Sequence, residues 1–507
     1  MLDFLPIFVL IPLALAFALP LLEKVGLADR VADGLAALTT ALVLAASIRL
    51  LGAADGVYWV GGWSPATAVG ISLVADGLGK LLLVLVALVS FAATIFSLSY
   101  MERYTAKALY YSLFFLMLAG MNGAILAGDL FNLYVFVEIA AIASYALVAY
   151  GCESEELEAA FKYLVLGVVA STFILFGIGV VYNLTGTLNM AQVARAVPAL
   201  GDNSALTLAA AFFFLGFGLK AAMVPFHAWL PDAHPSAPAP ISAMLSGVFI
   251  KASGAYALAR IFFNVIGMTA LFAQVLMALG ALSMVVGVLL AVGQWDFKRL
   301  LAYHSISQMG YVVLALGVGG GVLARGGEPA LAALAVFGGL FHLINHAAFK
   351  SLLFLCSGSI EHATGTRHLK ELGGLAAPMP LTAACCRIAA LSIAGVPPFN
   401  GFWSKLIIVI AVVQAGHWGL GALTALVSFA TLLSFLKVQR YALQGPLPPA
   451  LQSVREAPNS MVIALVILAA FCLGGGLLLP FYREVLLDPA RDAILGGLAY
   501  GGMVLGG

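Results

Sequence analysis

The chain has 507 residues, 63% of them hydrophobic and 9% charged, with 24 Lys and Arg against 23 Asp and Glu for a formal charge of +1. An ordinary soluble domain carries about 25% charged residues, so this composition excludes a soluble globular protein and predicts an all-α polytopic membrane protein. Near-neutral charge and scattered basic residues exclude a nucleic-acid partner.

A membrane-spanning helix needs about 20 apolar residues. Fourteen stretches meet that measure, near 4–22, 31–51, 72–100, 108–127, 130–150, 160–182, 206–225, 238–262, 268–292, 300–320, 330–356, 380–414, 418–441 and 459–480. The first lacks a basic n-region and an A-x-A-like end, so it reads as an uncleaved helix rather than a signal peptide. Residues 183–205, 357–379 and 442–458 read as surface loops, and the glycine-rich 493–504 as too short to cross. Loops after odd-numbered helices carry about twice the Lys and Arg of the other loops and termini, which places both termini outside a bacterial or archaeal cell (inner) membrane.

Several of these apolar stretches hold ionisable residues. A cation at the bilayer centre costs roughly 3 kcal/mol on insertion scales, so each is a functional candidate that needs a partner. Lys220 lies in Gly218-Leu-Lys-Ala-Ala-Met-Val-Pro225-Phe-His227, where a proline interrupts the helix. Glu138, in Phe131-Asn-Leu-Tyr-Val-Phe-Val-Glu138, is its expected counter-ion, within the roughly 4–6 Å over which opposite charges shift one another. Lys251 has Gly247 and Gly254 one turn to either side, a spacing that leaves room for water. His342, Asn345, His346 and Lys350 fall on one face of a helix, a polar stripe suited to a water chain and proton relay. Lys405 follows a second break, Pro397-Pro398-Phe-Asn-Gly401, and His227 and His304 are accessory positions. Asp129, Asp232, His234 and Asp296 sit at predicted helix ends, where capping is expected.

Cofactor and metal sites are not expected. The five cysteines lack C-x-x-C spacing and read as small buried hydrophobes, and His342-x-x-x-His346 lacks the glutamate of a zincin motif. An internal repeat is visible instead. Ala159-Ala-Phe-Lys162-Tyr-Leu164 matches Ala347-Ala-Phe-Lys350-Ser-Leu352, and each half holds a broken helix with a lysine. An odd number of helices separates the copies, the pattern of inverted repeats in transporters. The domains then read as 1–105 (helices one to three), 106–264 (first five-helix repeat), 265–442 (second repeat) and 443–507 (last helix and tail).

The run Gly218 to His234, with Val135-Phe-Val-Glu138, Leu301-Ala-Tyr-His-Ser-Ile-Ser-Gln-Met-Gly310 and His342-Leu-Ile-Asn-His346-Ala-Ala-Phe-Lys350, closely resembles the antiporter-like subunits shared by respiratory complex I, membrane-bound hydrogenases and Mrp-type cation/proton antiporters. The length is similar to the M, N and Mrp D types. The resemblance implies a fourteen-helix core, a proton path through Glu138, Lys220, Lys251 and Lys405 with His342 and His346 on the connecting axis, and other membrane subunits as partners, including related antiporter-like ones. It implies no redox centre in this chain, with any sodium handled elsewhere in the complex. His304 and Gln308 depart from the family pattern, which has a small hydroxyl residue and often a histidine there. A stand-alone solute transporter and a haem-bearing electron carrier are the alternative functions; the series of lysines without a solute pocket disfavours the first, and two histidines on one helix are a weak haem site.

Overall fold

The computed structural model describes residues 2–24, 29–63, 70–104 and 106–506. Its helices in chain order are α1 (Ile7–Lys24), α2 (Asp29–Leu51), α3 (Gly77–Tyr100), α4 (Lys107–Leu126), α5 (Leu130–Val148), α6 (Ser154–Thr185), α7 (Met190–Leu200), α8 (Ser204–Lys220) and α9 (Leu230–Ser236). The fully buried α10 (Ala239–Val265) follows. The second half holds α11 (Ala270–Val292), α12 (Phe297–Ala324), α13 (Pro329–Thr364), α14 (Pro380–Ala394), α15 (Asn400–Gln414), α16 (Trp418–Val438) and α17 (Asn459–Leu477), and the tail carries α18 (Asp488–Leu495) and α19 (Tyr500–Leu505). Among the described residues, twelve helices are long and apolar enough to cross a membrane, and α8, α14 and α15 are shorter apolar helices.

Both sequence breaks are real. Helix α8 stops at Lys220 and the chain resumes helical form at Leu230, while α14 stops at Ala394 and α15 begins at Asn400. The two lysines lie on opposite sides of their breaks, Lys220 before and Lys405 after. The two copies of the hexapeptide also differ in setting: Lys162 is half exposed and pairs with Glu158 at 2.7 Å, whereas Lys350 is fully buried.

Three departures from the sequence reading have local causes. Residues Ser72–Ala75, expected to open the third helix, form strand β2, antiparallel to β1 (Gly56–Trp59) with Gly56 opposite Ala75. Asp76 keeps extended backbone and accepts a hydrogen bond from the Gly79 N–H at 2.9 Å, so the helix begins after it. The stretch 183–205 contains α7, capped by Asn189. Helix α13 continues to Thr364, ending where Gly365 adopts a φ of 75°.

Helix α13 is the spine of the second half, packing against α10, α12, α14, α15 and α17, while α12 lies between α11 and α13 and also touches α9. In the first half α1 packs on α4, α4 on α5, and α6 on both α5 and α8. Without a hydrophobic driving force in lipid, helices associate through close contact at small residues. Helices α11 and α12 do so at Gly280 and Gly310: a Cβ on Gly280 would lie 2.5 Å from the Leu314 amide nitrogen, and one on Gly310 would lie 2.5 Å from the Gly280 oxygen.

A buried ion pair ties the outer parts together. Arg260 on α10 and Asp76 at the start of α3 are both almost completely buried, with Nη1 to Oδ2 at 2.6 Å and Nη2 to Oδ1 at 2.7 Å. Arg260 also lies 4.9 Å from the Tyr500 ring, and Asn264 donates to the Ala493 carbonyl at 2.9 Å. The tail is therefore held against the end of α10 by polar contacts.

We expect Gly280→Val to separate α11 from α12, because backbone cannot give way as a side-chain tip can. Overpacking of this kind costs about 1–3 kcal/mol, to be read as a lower Tm of the detergent-solubilised protein; an unchanged Tm would show that the contact is not needed for stability.

Candidate functional site: a buried lysine and histidine axis

Helix α8 ends at Lys220, Ala222 turns into the left-handed region at a φ of 54°, and Pro225 cannot continue the helix; the last carbonyls are met locally. The Trp229 indole Nε1 donates to the Leu219 carbonyl at 2.9 Å, and the Met223 N–H to the Gly218 carbonyl at 2.9 Å. This leaves Lys220 at the helix end, 2% exposed, with Nζ donating to Glu138 Oε1 at 2.9 Å. The pair lies within the separation expected from sequence and is in direct contact. Ser171 on α6 also donates its hydroxyl to Glu138, so the carboxylate is shared by an amine and a hydroxyl from two other helices.

Lys251 sits where α10 leaves regular α-helix, with π-helical turns at Leu245–Phe249, Lys251–Ala255 and Arg260–Val265. Such turns recur at functional sites because they change carbonyl directions inside a helix. The amine is fully buried and donates to the Ser246 carbonyl at 2.7 Å. The flanking glycines do not open space for water, as the sequence suggested. A Cβ on Gly247 would lie 2.0 Å from Ser351 Oγ and one on Gly254 2.6 Å from the Ala221 Cα, so both positions serve close helix packing.

From Lys251 a chain of polar groups continues into the second half. Ser246 Oγ and Ser305 Oγ are 2.7 Å apart, Ser305 donates to the Leu301 carbonyl at 3.1 Å, and Lys350 donates to the same carbonyl. Next along α12 and α13 come His304, bonded through Nε2 to Ser434 Oγ at 2.8 Å, and His346, whose two ring nitrogens meet no protein partner. Both amide atoms of Gln308 are likewise buried without a protein partner. His342 lies 6.5 Å from His346 ring to ring and shares a 3.0 Å hydrogen bond between its Nδ1 and Ser404 Oγ. The Tyr311 ring is 5.2 Å from His342 and 5.0 Å from the Lys405 amine.

Lys405 is 4% exposed and closes the second break: Nζ donates to the Ile393 carbonyl, near the end of α14, at 2.7 Å and to Ser428 Oγ at 3.2 Å. An open recess of about 350 Å³, whose walls include Gly395, Phe402, Ser428 and Phe429, reaches this amine. Lys251, Lys350 and Lys405 have no carboxylate within salt-bridge distance among the described residues, so the hydrogen bonds of each amine go to carbonyl and hydroxyl oxygens.

The structure therefore joins Glu138 to Lys220, and Lys251 to Lys350 through Ser246, Ser305 and the Leu301 carbonyl, and it sets the Tyr311 ring beside both His342 and Lys405. Among the described residues no hydrogen bond or ion pair joins His227, half-buried beside the first break, to these groups. Asp129 and Asp296 cap α5 and α12 as expected, accepting from Asn132 N–H at 2.9 Å and Arg299 N–H at 2.8 Å. His234 does not cap: it is completely buried and neither ring nitrogen has a protein partner. Asp232 instead forms ion pairs with Lys162 and Arg299, both at 3.1 Å. Outside the spans, burial works against the Arg367 charge, but Asp296 and Glu361 hold its pKa above the usual arginine value. Among the described residues no group of three His, Cys, Asp or Glu comes together as metal ligands.

The chain matches known proteins along most of its length. Residues 127–434 match the family described as NADH:quinone oxidoreductase/Mrp antiporter, TM. The chain is 38% identical over 481 residues to NADH-quinone oxidoreductase subunit N of Desulforudis audaxviator, covering 91% of this chain and 93% of that protein. It is 36% identical to the D-type component of the Na(+)/H(+) antiporter of Alkalihalophilus pseudofirmus over 86% of each. A chain of the Mrp complex from Dietzia sp. DQ12-45-1b superposes with a TM-score of 0.89 at 29% identity, over 99% of both chains. On the strength of these matches, the chain belongs to the NADH:quinone oxidoreductase/Mrp antiporter family of membrane proteins.

Proposed function

We propose that the chain is a proton-translocating, antiporter-like subunit of a multi-subunit membrane complex, with other membrane subunits beside it. Protons move along Glu138, Lys220, Lys251, Lys350, His346, His342 and Lys405, with His304 accessory to the middle of the route. The observation that carries this reading is the run of buried amines without counter-ions, flanked by His346 and Gln308, whose side-chain polar atoms have no protein partner. Buried polar groups without protein partners are met by ordered water, and water between such groups completes a proton route. An amine held only by carbonyl and hydroxyl dipoles changes its proton occupancy with the charge of its neighbours. A protonated amine donates and has no acceptor, whereas hard cations take oxygen ligands; the route suits protons, with sodium, if moved, handled elsewhere.

We further propose two inverted five-helix repeats, 106–264 and 265–442, between 1–105 and 443–507. Support comes from two matching turns. Thr185 bonds the Thr187 carbonyl after α6, where Asn189 bridges Asp129; Thr364 bonds the Thr366 carbonyl after α13, where His368 bridges Asp296. Counting each broken helix as one crossing yields fourteen crossings and puts these turns on opposite faces. The basic loops then face the cytoplasm, with both termini outside.

Glu138→Ala is expected to abolish pH-gradient formation in inverted vesicles while the complex still assembles; full transport in that variant would end the assignment. Lys405→Ala should likewise stop proton movement, whereas Lys405→Glu keeps a titratable group at the recess and should retain part of it. Wild-type proton movement in the alanine variant would overturn the role of Lys405.

A further inference from the structure

Several buried cations are met by an acid of the chain itself. Lys80 pairs with Asp55 at 2.7 Å, Lys107 with Asp33 at 2.7 Å, Lys220 with Glu138 at 2.9 Å, Lys298 with Glu361 at 3.3 Å and Arg260 with Asp76 at 2.6 Å. Lys251 and Lys350 lack such a partner but are completely enclosed. Lys405 lacks one too, and it borders the open recess of about 350 Å³ between α15 and α16. A protonated lysine has three N–H donors. Lys405 gives one to the Ile393 carbonyl and one to Ser428 Oγ, and the third meets no acceptor among the described residues.

The other walls of the recess are largely apolar: Val396 in the break, Phe402, Leu406 and Val409 of α15, and Phe429 and Leu432 of α16. Leu406 and Phe429 are 38% and 60% exposed, so the mouth lies on the apolar outer surface of these helices. Small-molecule sites have volumes of about 300–1,000 Å³ and combine apolar walls with a few placed polar groups. Depth narrows the choice of ligand. From Lys405 to Gln414, where α15 ends, the helix rises about 13 Å at 1.5 Å per residue, which sets the amine well inside a hydrocarbon core about 30 Å thick. A phosphodiester headgroup stays ionised and cannot reach that depth without the cost of a buried charge. A carboxylic acid can, because it enters hydrocarbon in its neutral form.

We propose that the recess is a binding site for a long-chain carboxylic acid of the bilayer, its chain against the apolar walls and its carboxyl group on the Lys405 amine. The acid enters sideways from the hydrocarbon and transfers its proton to the unprotonated amine. Its O–H bond breaks, an N–H bond forms on Nζ, and the remaining carboxylate accepts from the ammonium, with no change in net charge. Any lipid tail can cover apolar walls; the charge-assisted contact is what selects an acid. The site itself stands apart from the relay. On the proton-relay reading, occupancy holds Lys405 in its charged form and stops proton passage at the end of the axis.

The test uses the assembled complex in its native membrane, with palmitic acid carrying a diazirine in its chain as the probe. After irradiation, adducts are mapped by peptide mass spectrometry, with unlabelled palmitic acid and methyl palmitate as competitors. The expected result is an adduct on α15 or α16 that palmitic acid suppresses at roughly tenfold lower concentration than its ester, the factor associated with a hydrogen bond to a charged group. Ala425→Trp, which fills the recess from its α16 wall, should lose the adduct while pH-gradient formation without added acid continues. Lys405→Met should keep an adduct that acid and ester suppress equally. Equal suppression in the wild type, adducts absent from α15 and α16, or an undiminished adduct in Ala425→Trp overturns the site, as does a Lys405→Met variant that still prefers the acid. If Lys405→Met fails to assemble, the wild-type competition and Ala425→Trp still decide. An acid-selective adduct in a complex whose Lys405→Ala variant pumps normally would leave the site standing and the relay role of Lys405 refuted. Loss of pumping in Lys405→Ala without acid selectivity in the wild type would do the reverse.

Discussion

Interrupting a helix inside a bilayer frees backbone groups that lipid cannot satisfy, and the way this chain satisfies them shapes the rest of the structure. At the first break the partners are the Trp229 indole and, for the Val224 N–H, the Ser283 hydroxyl of α11 at 3.0 Å. At the second they are the Lys405 amine on the Ile393 carbonyl, Ser428 on the Ala394 carbonyl at 3.1 Å and Asn345 of α13 on the Asn400 carbonyl at 3.0 Å. Each break is therefore closed from a neighbouring helix. Lys405 contributes both to closing the chain and to the charge at the end of the axis, so its place cannot be taken by an apolar residue without leaving a carbonyl unmet.

The same constraint explains why the axis is built mainly from α10, α12 and α13. These helices have few lipid-facing positions, so a polar stripe on one must be met by the others. Serines do much of this. Ser246, Ser305, Ser404 and Ser428 link lysines and histidines across helix boundaries. Small hydroxyls fit between closely packed helices where a larger polar side chain would hold them apart, and interhelical hydrogen bonds from such residues contribute about 0.6 kcal/mol on average in one well-studied membrane protein.

Much of this was legible in the sequence, because the signals were local. Apolar runs gave most of the helix ends to within a few residues, the prolines marked both breaks, and the spacing of His342, Asn345, His346 and Lys350 placed them on one face. What escaped was non-local or depended on fit. Arg260 lies near the end of the stretch 238–262 with no signal of a partner, and Asp76 lies far off in the chain. The serines gave no signal, since serine in an apolar helix usually bonds its own preceding turn. His234 looked like a capping residue because prolines surround it. Its burial arises only when α9 packs against α6 and α12 and Phe354 arrives from α13. The glycines beside Lys251 misled for the same reason: spacing shows that room exists, and only the packed structure reveals that Ala221 and Ser351 occupy it.

That packing bears on how the two ends of the axis communicate. Gly254 of α10 lies so close to Ala221 that no side chain fits between them, and among the described residues no hydrogen bond links Lys220 to Lys251. On the proton-relay reading, the pair in the first half acts on the central lysine through its field and through small movements of α10, rather than through an unbroken chain of protein hydrogen bonds. A field of this kind is strong in a low-dielectric interior. It changes most when Glu138 and Lys220, in direct contact, separate or exchange a proton. The π-helical turns around Lys251 place their carbonyls off the regular helical register, so a modest rotation there can alter what holds the amine. The direct Glu138–Lys220 pair is thus the point from which that coupling begins.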